Sequence, residues 1–472
     1  MALNDELFWL IGEFAAVMHL AIASAVTIHV LLYKRNVGAA VSWIGIAWLS
    51  PFLGGLLYAI MGVNRVKRRA KRLLRERTRP GIAEAASAGL PPDDPLASLE
   101  FAVGRLTGLP REHGNKVEAL RNGDEAYPRM LEDIGRARMS IGLESYIFRD
   151  DAAGAPFHQA LIEAKRRGVQ VRVLIDGVGG GYFWSGTYRR LSRAGVPVAR
   201  FLHSYFPWRM PFVNLRNHRK VLVIDGRIGF TGGINIGAEN LQAAHPTHAV
   251  RDTHFRFEGP VVEQLTDAFV DDWLFTTGED LPDKDWFPPI DKAGVVAARV
   301  VTSGPDEDNE RIEFVALHAI SCARKSIRVV TPYFLPPEPL TMALGLAAMR
   351  GIEVDLIIPE RGNHAVLDWA RQIPLRPLIE AGCRVWLLPP PFEHSKLMTV
   401  DDCWSFVGSA NWDTRSFRLN FELNVELHDT GFAHEIVVAT RNCRRLTVAE
   451  LDADPLPVRL RNGAARLLQP YL

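Results

Sequence analysis

Two histidines and two lysines recur in one pattern at two distant places in this chain. Asn217 to Asn235 reads NHRKVLVIDGRIGFTGGIN, so His218, Lys220 and Asp225 spell H-x-K-x4-D and are followed by Gly232-Gly233-x-Asn235. From Glu393 the chain reads EHSKLMTVDDCWSFVGSAN, with His394, Lys396, Asp401 and Gly408-Ser409-x-Asn411 at the same spacing. An imidazole can attack phosphorus or hand a proton to a leaving alkoxide. An ammonium offsets the charge on non-bridging oxygens, and an amide or hydroxyl donates to them. Two histidines, two lysines, Asn235, Asn411 and Ser409 together suit a tetrahedral phosphodiester. Metal ligation is the competing chemistry, but no carboxylate cluster accompanies the histidines and two ammonium groups stand beside them, so no metal is expected.

Spacing also limits what each residue can do. On an extended strand side chains alternate faces, so His218 and Lys220 point to one side, as do His394 and Lys396. Asp225 and Asp401 have the opposite parity, which predicts a structural or supporting role for both. A histidine used in catalysis needs an acceptor for its other nitrogen. Asp252, in RDTHF, and Glu422, in NFELN, follow the two units in strand-like contexts and are the candidates.

The elements that must position these groups are themselves repeated. Ser140 to Phe148 (SIGLESYIF) answers Ser326 to Phe334 (SIRVVTPYF), and Arg167 to Asp176 answers Arg350 to Pro359. Ala194 to Val198 answers Ala381 to Val385, and then the two H-x-K units follow. Short β-branched strands alternating with helical patterns predict an α/β fold with largely parallel sheets. Two such halves pack most simply about a pseudo-twofold axis that brings the histidines together. The expected boundaries are 119–290 for the first half and 291–472 for the second, with 80–118, rich in Ala, Pro, Gly and Asp, as a linker.

Ahead of the linker, 1–79 reads as a membrane module. Leu7 to Tyr33 and Val37 to Val63 are apolar runs separated by Lys34-Arg35-Asn36, each long enough to cross a hydrocarbon layer of roughly 30 Å, and predict a transmembrane helical hairpin. Pro51 and Gly54-Gly55 interrupt the second run, which leaves a re-entrant element as the alternative. Asn64 to Arg79 carries nine basic residues and one glutamate, with Val66, Ala70, Leu73 and Leu74 as one apolar stripe, the pattern of a helix lying on anionic lipid. By the positive-inside rule this segment predicts a multi-pass protein whose large C-terminal part is in the cytoplasm. The whole chain sums to +1, so the rest carries about −7 once this +8 segment is removed, which argues against a nucleic-acid-binding face. Two aromatic stretches, Gly179 to Gly186 and His203 to Val213, hold Tyr182, Trp184, Trp208 and Phe212, residue types that favour a membrane interface or the wall of a substrate tunnel.

The paired H-x-K-x4-D units with G-[GS]-x-N resemble the phospholipase D superfamily. Thr331-Pro332-Tyr333-Phe334, Gly408-Ser409-Ala410-Asn411-Trp412-Asp413 and Arg415-Ser416-Phe417 before Asn420-Phe421-Glu422 resemble bacterial cardiolipin synthases in particular. That resemblance implies two duplicated phospholipase D-like domains and a catalytic set of His218, Lys220, Asp225, His394, Lys396 and Asp401. It also implies transfer of a phosphatidyl group from one phosphatidylglycerol to another to give cardiolipin and glycerol, through a phosphohistidine, with no cofactor. By analogy His218 would be the nucleophile and His394 the general acid, an order that the residues themselves do not rank. Alternatives are a phospholipase D-type hydrolase with water as acceptor, a nucleic-acid phosphodiesterase, which the charge disfavours, and an inactive membrane scaffold, which would have lost a His or Lys.

Overall fold

The computed structural model describes residues 2–34, 37–62, 95–205, 215–242, 249–305, 310–435 and 443–469. The basic juxtamembrane segment Asn64 to Arg79, and Trp208 and Phe212 of the second aromatic stretch, lie outside them.

In the N-terminal unit, Ala2–Tyr33 is a single helix, of which Trp9–Tyr33 is apolar and long enough to cross a membrane. The second run differs from a simple spanning arm. Its first helix, Val37–Leu49, has 13 residues, about 20 Å of rise, and stops at Ser50, whose backbone leaves the helical region (φ −148°, ψ 74°). Pro51 is the reason: it lacks an N–H and disfavours helical geometry in the residue before it. The chain then resumes as Pro51–Leu57 and a π-helical turn, Tyr58–Gly62. A Cβ at Gly54 would lie 2.6 Å from the carbonyl oxygen of Ile46, so glycine permits the close approach across this break. Val26, Val30, Trp43, Ala47 and Tyr58 pack inside the unit. Trp9, Phe14, Leu31, Leu32 and Leu49 face outward, an apolar exterior that suits lipid.

In the second unit, largely buried strands order themselves into one continuous sheet with a palindromic layout. The first half runs Val198–Phe201, Gln170–Asp176, Ser140–Ser145, Val221–Ile224, Ile228–Gly232, Thr253–Glu258, Glu112–Arg121. The second runs Arg384–Leu388, Glu353–Pro359, Ser326–Val330, Leu397–Val400, Trp404–Gly408, Asn420–His428, Val296–Ser303. The halves join where Glu112–Arg121 pairs antiparallel with Val296–Ser303. Within each half the first three strands are parallel and the rest antiparallel. Each half has its own apolar core, centred on Phe157, Val173 and Leu222 in the first and on Ile327, Leu356 and Met398 in the second. Inside the stretch read as a linker, Pro95–Thr107 is a helix, because Leu99 and Val103, one turn apart, bury in the core of the second half.

The two aspartates of the repeated motif sit in hairpin turns, away from the histidines. Asp225 (φ 52°) and Gly226 (φ 61°) turn the chain between Val221–Ile224 and Ile228–Gly232, and Asp401 (φ 53°) with Asp402 (φ 54°) does the same in the second half. Asp tolerates this left-handed backbone better than most side chains. The Asp225 carboxylate accepts the backbone N–H groups of Arg138, Met139 and Ser140 at 2.9, 2.7 and 2.9 Å. Asp401 accepts those of Arg324, Lys325 and Ser326 at 2.9, 2.7 and 2.9 Å. Each therefore locks the H-x-K hairpin to the neighbouring strand, which corrects the catalytic assignment that the motif implies for them. Asp225→Ala is expected to lower the unfolding free energy by about 2 kcal/mol, since three donors lose their acceptor. Denaturant unfolding would measure this alongside phosphate affinity of the folded protein. Unchanged stability with lost phosphate binding would return Asp225 to the catalytic group.

Candidate active site

Each histidine of the repeated motif is held by a strand that crosses into the other half. Arg216–Asn217, which leads into His218, pairs with Asn420–Phe421, and Phe392–Glu393, which leads into His394, pairs with Val250–Arg251. Each histidine N–H then bonds across the same seam: His218 to the Phe421 carbonyl at 2.9 Å and His394 to that of Arg251 at 2.7 Å. This exchange carries an acidic residue with it. Glu422 Oε2, from the second half, lies 3.1 Å from His218 Nδ1, and Asp252 Oδ2, from the first, lies 2.7 Å from His394 Nδ1. Each half thus supplies the histidine of one couple and the acid of the other.

Burial sets the charge state of these groups. Burial works to raise both carboxylates, but Lys396 and His394 pull Asp252 below the usual range, and His218 and Lys220 do the same to Glu422. Both acids are therefore ionised and accept from Nδ1, which leaves each Nε2 with its lone pair. Burial lowers His218, with Lys220 adding to it and Glu422 opposing. Burial and then Lys396 lower His394 to about 4. Lys396 Nζ also lies 2.9 Å from His394 Nδ1. The shorter Asp252 contact owns that nitrogen, and Lys396 donates to the His394 carbonyl. Lys220 Nζ donates likewise to the His218 carbonyl at 2.6 Å and lies 5.4 Å from the centroid of the Tyr146 ring.

Both histidines, Asn235 and Asn411 line one cavity of about 800 Å³. Asn235 Oδ1 accepts the N–H of Ile147 at 3.2 Å, and Asn411 Oδ1 is a buried acceptor with no partner. Ser409 has a different place from the one expected of a substrate donor: it is fully buried, and its hydroxyl donates to Glu422 at 2.5 Å. It fixes the acid that orients His218. The counterpart of Ser409 is Gly233, where a Cβ would lie 2.1 Å from Asp252 Oδ1, so the shorter acid occupies the space that a side chain would need. Among the described residues, no three His, Cys, Asp or Glu side chains group as metal ligands.

Four further groups face the cavity. Tyr146 and Tyr333 meet the histidine rings edge-on at 4.9 and 6.1 Å, and Arg216 and Arg415 line the same wall as His218. Tyr146 is seventh in SIGLESYIF and Tyr333 eighth in SIRVVTPYF, one place out of step, so the repeat brings the two phrases together but does not itself pair the tyrosines. Arg216 lies two residues before His218 and so shares its face. The exposed Phe183 and Trp184 of the first aromatic stretch lie outside this cavity, and Arg189 covers the Trp184 ring at 3.8 Å.

The lysines make the site pH-sensitive in a defined direction. Burial lowers Lys220 to about 7 and Lys396 to about 8. Both are charged, and a phosphodiester is best held, below about pH 7; that hold is lost as pH rises through 7 and 8 and the ammonium protons leave. kcat/KM is therefore expected to fall on the alkaline side over this window. Lys220→Arg, which keeps its charge, would move the fall to higher pH while lowering the maximum. A profile flat to about pH 9.5 would contradict this use of the lysines.

Known proteins share both the sequence and the architecture. A family profile described as "Cardiolipin synthase, PLD-like domain" matches residues 130–273 and 316–442, one segment in each half. A cardiolipin synthase from Geobacillus kaustophilus is 33% identical over 98% of this chain and 95% of its own length. The major cardiolipin synthase of Bacillus subtilis is 32% identical over 93% of this chain and 95% of its own. Cardiolipin synthase A of Pseudomonas aeruginosa is 35% identical over 87% and 85%. Among solved structures, the phosphatidylserine synthase of Haemophilus influenzae matches 79% of this chain and all of its own with a TM-score of 0.62 at 16% identity, a likeness of fold. The shared sequence extends over the repeated halves and through both histidine couples, and the chain belongs to the cardiolipin synthase family, phosphatidyltransferases with paired phospholipase D-like domains.

Proposed function

We propose that this enzyme transfers a phosphatidyl group from one phosphatidylglycerol to the hydroxyl of a second, releasing glycerol and forming cardiolipin through a phosphohistidine on His218. The observation that carries the reading is the crossed pair of imidazole–carboxylate hydrogen bonds, His218 with Glu422 and His394 with Asp252, opening on one cavity. With Nδ1 tied to Glu422, His218 attacks phosphorus through Nε2 while the glycerol oxygen leaves with a proton from His394. The resting His394 is neutral. A phosphodiester anion beside it offsets the two ammonium charges that depress its basicity, so substrate binding itself favours the protonated acid. In the second step the hydroxyl of the incoming lipid gives its proton to His394, its oxygen bonds to phosphorus, and the P–N bond breaks to restore His218. Lys220, Lys396, Asn235 and Asn411 balance charge on the non-bridging oxygens throughout.

Both substrates are lipids, and the N-terminal unit suits that requirement. One span-length helix and a broken second arm would hold the enzyme in the bilayer, which replaces a search through bulk water with a local one. The basic segment after them favours a cytoplasmic catalytic unit at the inner membrane.

A lipid profile by mass spectrometry of a cardiolipin-free bacterial host expressing the chain tests the reading. Cardiolipin is expected with the native sequence and none above background with His218→Ala, since removing a covalent nucleophile costs about a millionfold in rate. Equal cardiolipin from both, or phosphatidic acid as the sole product, would overturn it.

A further inference from the structure

The two halves repeat each other in chain but not in charge. The offset that matches His218 to His394 and Asn235 to Asn411 matches Arg216 to Phe392 and Arg415 to Glu239, and all eight residues line the same cavity. One wall therefore carries two guanidiniums. The corresponding wall carries an aromatic ring and a carboxylate, and that carboxylate is taken up by Arg149 at 2.8 Å. In the proposed reaction Lys220 and Lys396 already answer the scissile phosphate, so the difference in charge points to another role.

The arginines are built into the site from both halves. Arg216 is on the strand that enters His218 and pairs in register with Asn420, and Arg415 is in the short helix Thr414–Arg418 just before that partner strand. Asp413, whose carboxylate accepts the Ser416 N–H at 2.6 Å, starts that helix and borders the same wall. Burial, followed by the charge of Arg216, pushes the Arg415 guanidinium below its usual range, with Asp413, Tyr146 and Asp176 opposing. Two like charges sharing one wall repel, and an anion bridging them relieves that repulsion while giving each planar fork a match.

We propose that Arg216 and Arg415 form a second anion subsite, which holds the non-reacting phosphodiester of the acceptor lipid while its free hydroxyl reaches phosphorus. This rests on the phosphatidyl-transfer reading, in which both lipids bring a phosphate and only one reacts. Arg216 and His218 are two residues apart, about 7 Å along an extended strand, the scale of a three-carbon diol between two phosphates. An acceptor attacking from the side of His394 can lay its phosphate on this wall, because the carbons between its hydroxyl and its phosphate rotate freely. The subsite would select an anionic glycerol ester over water or free glycerol, so it decides between transfer and hydrolysis.

Two reactions of the purified full-length enzyme in phosphatidylglycerol vesicles separate the subsites. Exchange of labelled glycerol into phosphatidylglycerol involves only the reacting phosphate; cardiolipin formation involves both. Arg216→Gln and Arg415→Gln are each expected to lower the ratio of cardiolipin formed to glycerol exchanged by about tenfold, with phosphatidic acid rising, and Arg415→Lys to recover part of it. A ratio that does not move, or synthesis and exchange falling together, would overturn the proposal. If the unsubstituted enzyme forms no cardiolipin, the functional reading itself fails; if it does and the ratio stands still, only the subsite falls.

Discussion

The structure depends on an exchange of hydrogen bonds across a seam. Neither half completes its own histidine: the strand entering His218 pairs beside Glu422 of the other half, and the strand entering His394 pairs beside Asp252. A carboxylate held on Nδ1 decides which ring nitrogen remains open to the cavity, so in the proposed reaction the direction of attack follows from backbone register. The continuous sheet makes that register dependable. With Glu112–Arg121 and Val296–Ser303 joined edge to edge, the two couples cannot drift independently.

Burial then tunes the chemistry of these residues. The ammonium groups and imidazoles are all pushed toward their neutral forms, while the two acids stay ionised because they face cations. Groups of this kind, held out of water, favour an anion beside them. In the proposed reaction a phosphodiester supplies that negative charge and so raises the proton affinity of the groups that must carry one.

Much of this was legible in the chain. The duplicated H-x-K pattern, the repeated strand phrases and the parity of His218 with Lys220 all follow from spacing on an extended backbone. So does the separation of Asp225 and Asp401 from the catalytic face, although the motif taken as a unit counts them in. What spacing does not contain is partner identity across the seam. Asp252 and Glu422 are visible as acids on strands, but which histidine each serves is a tertiary fact. Ser409 illustrates the same limit: its hydroxyl looks available to substrate in GSAN and is spent on Glu422. The second apolar run shows a local limit, because its composition is that of a span while Pro51 stops the helix after 13 residues. The helix Pro95–Thr107 was concealed by Pro and Ala content, although Leu99 and Val103 have helical spacing.

The edge-to-edge sheet has a consequence for how this enzyme tolerates damage. Repetition ordinarily suggests redundancy, a second copy to work when the first is lost. Here the copies are interlocked, so a lesion in either one reaches the cavity that both histidines share. The chain writes its chemistry twice and holds no spare.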